Sequence, residues 1–259
     1  MLKDVVIFAA GIWAGMINVI VGSGTLVTFP TLLLFGYAPL TANISNNIGL
    51  VAGGLSGVYG YRREVSAYRS TLLRLAPASV LGALTGALLL LILPAGSFKA
   101  IVPVLIVIGL LMVVLGPSLQ RRAARRNAEL GREPSQQTTR SHATLIGGIY
   151  LLGIYGGYFG AAQGILLVGL MGIMLHAGIQ SINGIKNVLG TLVNAVAAVT
   201  FMVVAWDRID WKVVILIGAG SLIGGYLGAH IGRRLPPTIL RAIILLIGTL
   251  ALIKIIFFG

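Results

Sequence analysis

GMINVIVGSGTLVTFPTLLLFG, residues 15–36, and GIYGGYFGAAQGILLVGLMGIMLHAG, residues 153–178, decide the fold of this chain. Each is a long apolar run broken near its middle by small and polar residues, Gly22-Ser23-Gly24-Thr25 in the first and Gly160-Ala161-Ala162-Gln163-Gly164 in the second. Interrupted hydrophobic segments at corresponding positions of two halves are the sequence mark of a membrane carrier's substrate site. Such breaks free backbone N–H and C=O groups, which hydrocarbon tolerates only where protein or a polar cavity receives them.

The rest of the chain supplies the membrane setting. Of 259 residues, 57% are hydrophobic and 10% charged, with a mean hydropathy of +0.99. Soluble domains carry roughly 25% charged residues. Runs long enough to cross ~30 Å of hydrocarbon recur at Val5–Val21, Ala42–Tyr61, Leu75–Leu93, Phe98–Leu115, Ala143–Gly160, Gly184–Ala205, Val213–Gly232 and Ile239–Phe258. Val5–Val21 lacks the cationic leader and small-residue cleavage site of a signal peptide and is read as a retained span. The expected fold is an all-α polytopic membrane protein with eight to ten membrane segments. After the breaks, Leu26–Phe35 and Ile165–His176 are too short to cross unaided, and a re-entrant pair and two separate spans are both open.

The net charge of +13 sits beside spans rather than on a soluble basic face, so nucleic acid is not an expected partner. Arg62, Arg63, Arg69 and Arg74 form one cluster. Arg121, Arg122, Arg125, Arg126, Arg132 and Arg140 form a second, and Arg233, Arg234 and Arg241 a third. Positive charge marks the cytoplasmic side. The links Pro94–Ser97 and Trp206–Trp211 then face outward across a cell inner membrane, with both termini outside if the broken segments return.

The halves match beyond their breaks. SVLGALTGA (79–87) aligns with SLIGGYLGA (221–229), and FKAIV (98–102) with LRAII (240–244), 142 positions apart in both cases. Following the loops makes the two repeats inverted: residues 1–116, a basic linker 117–142, and residues 143–259.

The chemistry available is that of an anion site. Asp4, Glu64, Glu129, Glu133, Asp207 and Asp210 are the carboxylates, all expected in termini or loops, so none is placed to bind a cation or relay protons within a span. Cysteine is absent, which removes disulfides, thiolate metal sites and thiol nucleophiles. After the first break comes N43-I-S-N-N47, after the second N183-G-I-K-N187, which pairs Asn46 and Asn47 with Lys186 and Asn187. Thr191 and Asn194 continue the Asn187 face. Helix N-termini expose unpaired N–H groups that suit oxyanions.

Candidate binding residues are therefore Lys186, Asn187, Asn46, Asn47, Gln163, Thr25, Ser23 and Asn194, with backbone at Gly22, Gly24, Gly160 and Gly164. Lys186 has a plainer alternative, snorkelling its ammonium to the headgroups. A deep lysine costs ~2.5–3.5 kcal/mol on the insertion scale and needs a partner, for which a transported anion is the candidate. Gln163 has one too, as an amide capping the broken backbone. His176 and His230 are weak proton-coupling candidates. They show neither metal-ligand spacing nor a nucleophile–base pair, so no catalytic residue, metal or cofactor is expected. The four-residue glycine stripes Gly220-Gly224-Gly228-Gly232 and Gly82-Gly86 suit close helix packing, a moving interface or a homodimer.

At these motifs the chain resembles the sulfite exporter TauE/SafE family of membrane transporters, over essentially its full length. The resemblance is carried by GMINVIVGSGTLVTFPTLL…ANISNN, with Gly22, Gly24 and Pro30, and by GIYGGYFGAAQGILL…INGIKNVLGTLVN, with Tyr158, Phe159, Gly160, Lys186 and Asn194. The chain departs from the family pattern at Ser45-Asn46-Asn47, which lacks a lysine, at Gly156 in place of an acidic residue, and at Ala161-Ala162-Gln163. The resemblance implies carriage of sulfite or organosulfonate anions, often outward, driven by membrane potential or proton motive force. The expected partners are that anion and the lipid bilayer. Two other readings stay open, a non-transporting scaffold or accessory subunit and uptake of a different small organic anion.

Overall fold

The computed structural model describes residues 1–129, 139–175, 177–230 and 237–258. Apart from turns and short links, those residues are helical. In chain order they form α1 (Leu2–Ile20), α2 (Thr25–Leu34), α3 (Pro39–Gly60), a short α4 (Arg62–Ser66), α5 (Arg69–Ile92) and α6 (Ala95–Glu129). The second half has α7 (Thr139–Tyr158), α8 (Gln163–Met174), α9 (Ile179–Val204), a 3-10 turn at Trp206–Arg208, α10 (Trp211–His230) and α11 (Pro237–Phe258). Within the described residues, Leu2–Ile20, Arg69–Ile92, Gly96–Ser118, Ile179–Val204 and Trp211–His230 are long and apolar enough to cross a membrane. Their outward faces stay apolar, with Leu81, Val104, Ile215 and Leu222 exposed, as a lipid-facing surface requires. The protein is an all-α, multi-pass membrane protein.

Helix ends moved where local chemistry overrode hydropathy. Pro39 opens α3 from its first turn, where a missing N–H costs nothing, so α3 starts three residues before the apolar run. The expected Pro94–Ser97 link shrinks because α6 is already helical at Ala95. At its other end α6 runs through Pro117 to Glu129, so the basic linker begins as helix. Linker residues 130–138, with Glu133 among them, lie outside the described residues, as do Arg233, Arg234 and His176, and residues 139–142 already belong to α7.

The described carboxylates cluster at helix ends rather than strictly in loops. Asp4, in the first turn of α1, pairs with Lys212 at 2.7 Å. Asp210 precedes α10 and accepts from the Val213 N–H at 3.0 Å, an N-cap bond. Trp206 and Trp211 pack nearby at a tilt of 50°, 4.7 Å between centroids.

Each half packs on the other. Helices α1 and α3 lie against α10, just as α7 and α9 lie against α5; α2 lies against α11 as α8 does against α6. Glycine makes these contacts possible. A Cβ at Gly220 or Gly224 would overlap the α1 backbone at Phe8 or Ile12, and one at Gly82 or Gly86 the α7 backbone at Tyr150 or Ile154. The described glycines of both stripes are thus consumed inside the chain, and a second copy would have to meet another face. The aligned serines do parallel work. Ser221 Oγ donates to the Gly49 carbonyl at 2.9 Å and accepts from the Gly53 N–H at 3.1 Å, while Ser79 Oγ reaches the Leu189 carbonyl at 3.5 Å.

Both short helices stay short. Helix α2 has 10 residues and α8 has 12, about 15 and 18 Å at 1.5 Å per residue. Helix α2 is buried from Thr25 through Leu33, enclosed by protein rather than lipid.

Candidate functional site

The two breaks touch. Gly22 has φ +87° and Gly160 φ +74°, left-handed conformations that cost other residues roughly 1–2 kcal/mol. The Gly164 N–H donates to the Gly22 carbonyl at 3.0 Å. A Cβ on Gly22 would overlap the Gly164 backbone, and one on Gly24 the Ala14 carbonyl. The N-cap of α8 is Ala162, which holds φ 59° without being glycine. Phe29 of α2 packs edge-on against Phe159 at 5.1 Å, and Phe98 of α6 packs against Phe159 at 6.3 Å. This places an aromatic cluster beside the second break.

Where the breaks meet α9 there is a cavity of about 30 Å³. Asn18, Thr25, Gln163, Lys186, Asn187, Thr191 and Asn194 supply its side-chain polarity, and Gly22, Gly160 and Gly164 part of its backbone wall. Of the expected residues, Asn46, Asn47, Ser23 and Gly24 do not line it. Asn46 is turned onto α2, where its Nδ2 donates to Thr25 Oγ1 at 3.4 Å and its Oδ1 accepts from Thr28 Oγ1. Asn47 lies behind the wall, its Nδ2 donating to Asn194 Oδ1 at 3.3 Å. Ser23 is 1% exposed and its hydroxyl has no hydrogen-bond partner among the described residues.

Lys186 does not snorkel. It is 2% exposed, and its Nζ donates to the carbonyls of Asn18 at 3.0 Å and Val19 at 2.8 Å. Those carbonyls belong to the last turn of α1, where C=O groups lack intrahelical partners and the helix dipole is negative. The partner expected to be an anion is therefore, for two of the three ammonium N–H bonds, the end of the first helix. The third is left for the cavity. Next to it, Asn187 is 7% exposed and its Nδ2 has no acceptor among the described residues. An unpaired buried amide is costly, so a lining residue with a spare donor marks a place for a ligand or water.

Gln163 is tied to α7 rather than to the freed backbone of the break. Its Nε2 donates to the Leu152 carbonyl at 3.0 Å, six residues inside the end of α7, and it lines the cavity. Its carboxamide fills the space that a Cβ on Gly156 would need. His230 sits exposed at the end of α10 with a ring nitrogen 2.9 Å from the Tyr226 carbonyl, away from the cavity.

Three polar residues escaped the sequence reading. Asn18 lines the cavity from α1, and its signal was a lone amide in an apolar run. Asn43 Nδ2 donates to the Tyr158 carbonyl at 3.0 Å, so α3 caps the end of α7 as α9 caps the end of α1. Lys254 of α11 donates to the Leu33 and Leu34 carbonyls at 3.2 and 2.6 Å, closing the far end of α2.

The chain is similar to proteins named as probable membrane transporters. The family model for the sulfite exporter TauE/SafE matches residues 7–255. A probable membrane transporter protein YfcA of Escherichia coli K12 is 30% identical over 241 residues, 89% of this chain and 79% of the relative. A probable membrane transporter protein ORF9 of Sinorhizobium sp is 25% identical over 96% of this chain and 91% of the relative. One from Haemophilus influenzae is 25% identical over 97% and 94%. No solved structure matches. Broken helices meeting at a buried polar cavity, in a chain matched almost end to end, place this protein in the TauE/SafE sulfite exporter family of membrane transporters.

Proposed function

We propose that the protein carries a small oxyanion through the meeting point of its two breaks, exporting sulfite or an organosulfonate such as sulfoacetate. One observation carries this reading: a buried lysine, and beside it an asparagine with an unpaired amide, line a polar cavity that no carboxylate lines among the described residues. A buried ammonium without an acidic partner is costly, and the α1 carbonyls offset only part of that cost. An anion in the cavity completes it, with neutral hydrogen bonds from Asn187, Gln163, Thr25 and Asn194.

Direction follows from electrostatics. An inside-negative potential drives an anion outward by ~2.3 kcal/mol per charge per 100 mV, more than the ~1.4 kcal/mol of a tenfold gradient. Potential or proton motive force therefore suffices for export. In this reading residues 1–116 and 143–259 are inverted repeats joined by the basic linker 117–142. The Arg-rich loops face the cytoplasm of a cell inner membrane, and both termini lie outside.

The test is efflux of labelled sulfite and sulfoacetate from proteoliposomes under imposed potentials, wild type against Lys186→Gln. Saturable efflux, faster with the interior negative and lost in a folded Lys186→Gln protein, is expected. Efflux of neither anion at any potential would overturn the reading. Efflux that survives the substitution would remove Lys186 from the site.

A further inference from the structure

The charge balance of the cavity narrows its ligand. Among the described residues that line it, Lys186 alone is charged. Lys254 adds nothing, because it is bound to the carbonyls at the far end of α2 and does not line the cavity.

Backbone partial charges cancel in pairs. Each break brings the negative end of one helix beside the positive start of the next, α1 beside α2 and α7 beside α8. These ends amount to roughly −0.5 and +0.5 of a charge. The positive start of α8 is further occupied, since the Gly164 N–H is given to Gly22. The other polar groups of the wall are amides and hydroxyls. What remains is one unit of positive charge, beside the lining residue Asn187, whose buried Nδ2 is unpaired among the described residues.

We infer that this site is matched to a single negative charge, so that it prefers monoanions to dianions of the same shape. The inference rests on the anion-carrying reading above. A monoanion makes the loaded site neutral, whereas a dianion leaves one uncompensated charge in a membrane interior that penalises it. Sulfite is then carried as hydrogensulfite, and organosulfonates with one charge are preferred to sulfoacetate, which bears a sulfonate and a carboxylate.

Two size-matched pairs isolate charge from shape. Methanesulfonate and sulfate differ by a methyl group in place of a charged oxygen. Isethionate and sulfoacetate differ by an alcohol in place of a carboxylate. Each is loaded with labelled sulfite into proteoliposomes of the wild-type protein, and inhibition of sulfite efflux is measured. The monoanion of each pair should inhibit at a concentration at least about tenfold lower than its dianion. Equal or stronger inhibition by sulfate or sulfoacetate, or none by methanesulfonate, would overturn the single-charge inference while sulfite efflux itself continued. Absence of sulfite efflux would instead sink the anion-carrying reading beneath it.

Discussion

The two breaks share a backbone design but divide the chemistry unequally. At the first, Asn46 turns back to Thr25 and Thr28 and is satisfied there. At the second, the aligned Lys186 reaches across to the end of α1, and its neighbour Asn187 keeps a donor unpaired. In the proposed site the first half thus contributes mostly wall, and the second half most of the recognition. Duplicated sequence reproduces helices and turns because those follow from local glycine and apolar pattern. It does not reproduce a site, because one altered side chain at an equivalent position changes which element it meets.

The backbone contact between the breaks should be the most sensitive point. Gly22→Ala combines a left-handed φ with overlap on Gly164, while Gly160→Ala meets only the Gly156 carbonyl at 3.0 Å. We expect Gly22→Ala to cost more than about 3 kcal/mol and Gly160→Ala about 1–2 kcal/mol, read as loss of monodisperse protein and of thermal stability in detergent. Equal losses would mean that the breaks do not bear on each other.

The contrast in chemistry is next in size. Lys186→Gln should lower anion flux at least about tenfold, the scale of a charged hydrogen bond. Asn46→Ala should leave flux nearly intact and reduce stability by about 1–2 kcal/mol. Comparable loss of flux in both variants would return Asn46 to the site and erase the asymmetry.

The aligned serines test the scaffold alone. Ser221 bridges two groups of α3, whereas Ser79 makes one long contact. Ser221→Ala should therefore destabilise by about 1–3 kcal/mol and Ser79→Ala by under about 1 kcal/mol, measured by melting of the solubilised protein. The smallest effect has the opposite sign. Ala162→Gly relieves the left-handed residue that opens α8, and should stabilise by about 0.5–1 kcal/mol after the entropy lost to a freer unfolded chain.

Several features could be read before any fold was known. Apolar run length made the chain a membrane protein, and glycine with small polar residues located both breaks. Lys186 stood out because a lone cation amid apolar neighbours needs a reason. Helix ends were less legible at α3 and α6, where a proline at the first turn and continuation through Pro117 outweighed hydropathy. Asn46 and Asn187 looked alike in sequence, since both follow a break in Asn-rich segments. Which one faces the cavity depends on how each helix is rotated against its neighbours.

By itself, then, the sequence determined the all-α membrane character and the two breaks, because these depend on composition and short-range pattern. Only the tertiary structure decided that Gly22 meets Gly164 and that the partner of Lys186 is the end of α1. It also decided that the glycine stripes are spent within the chain. Those contacts join residues some 70 to 210 positions apart, and their geometry is set by the interlocking of two halves that no local window of sequence contains.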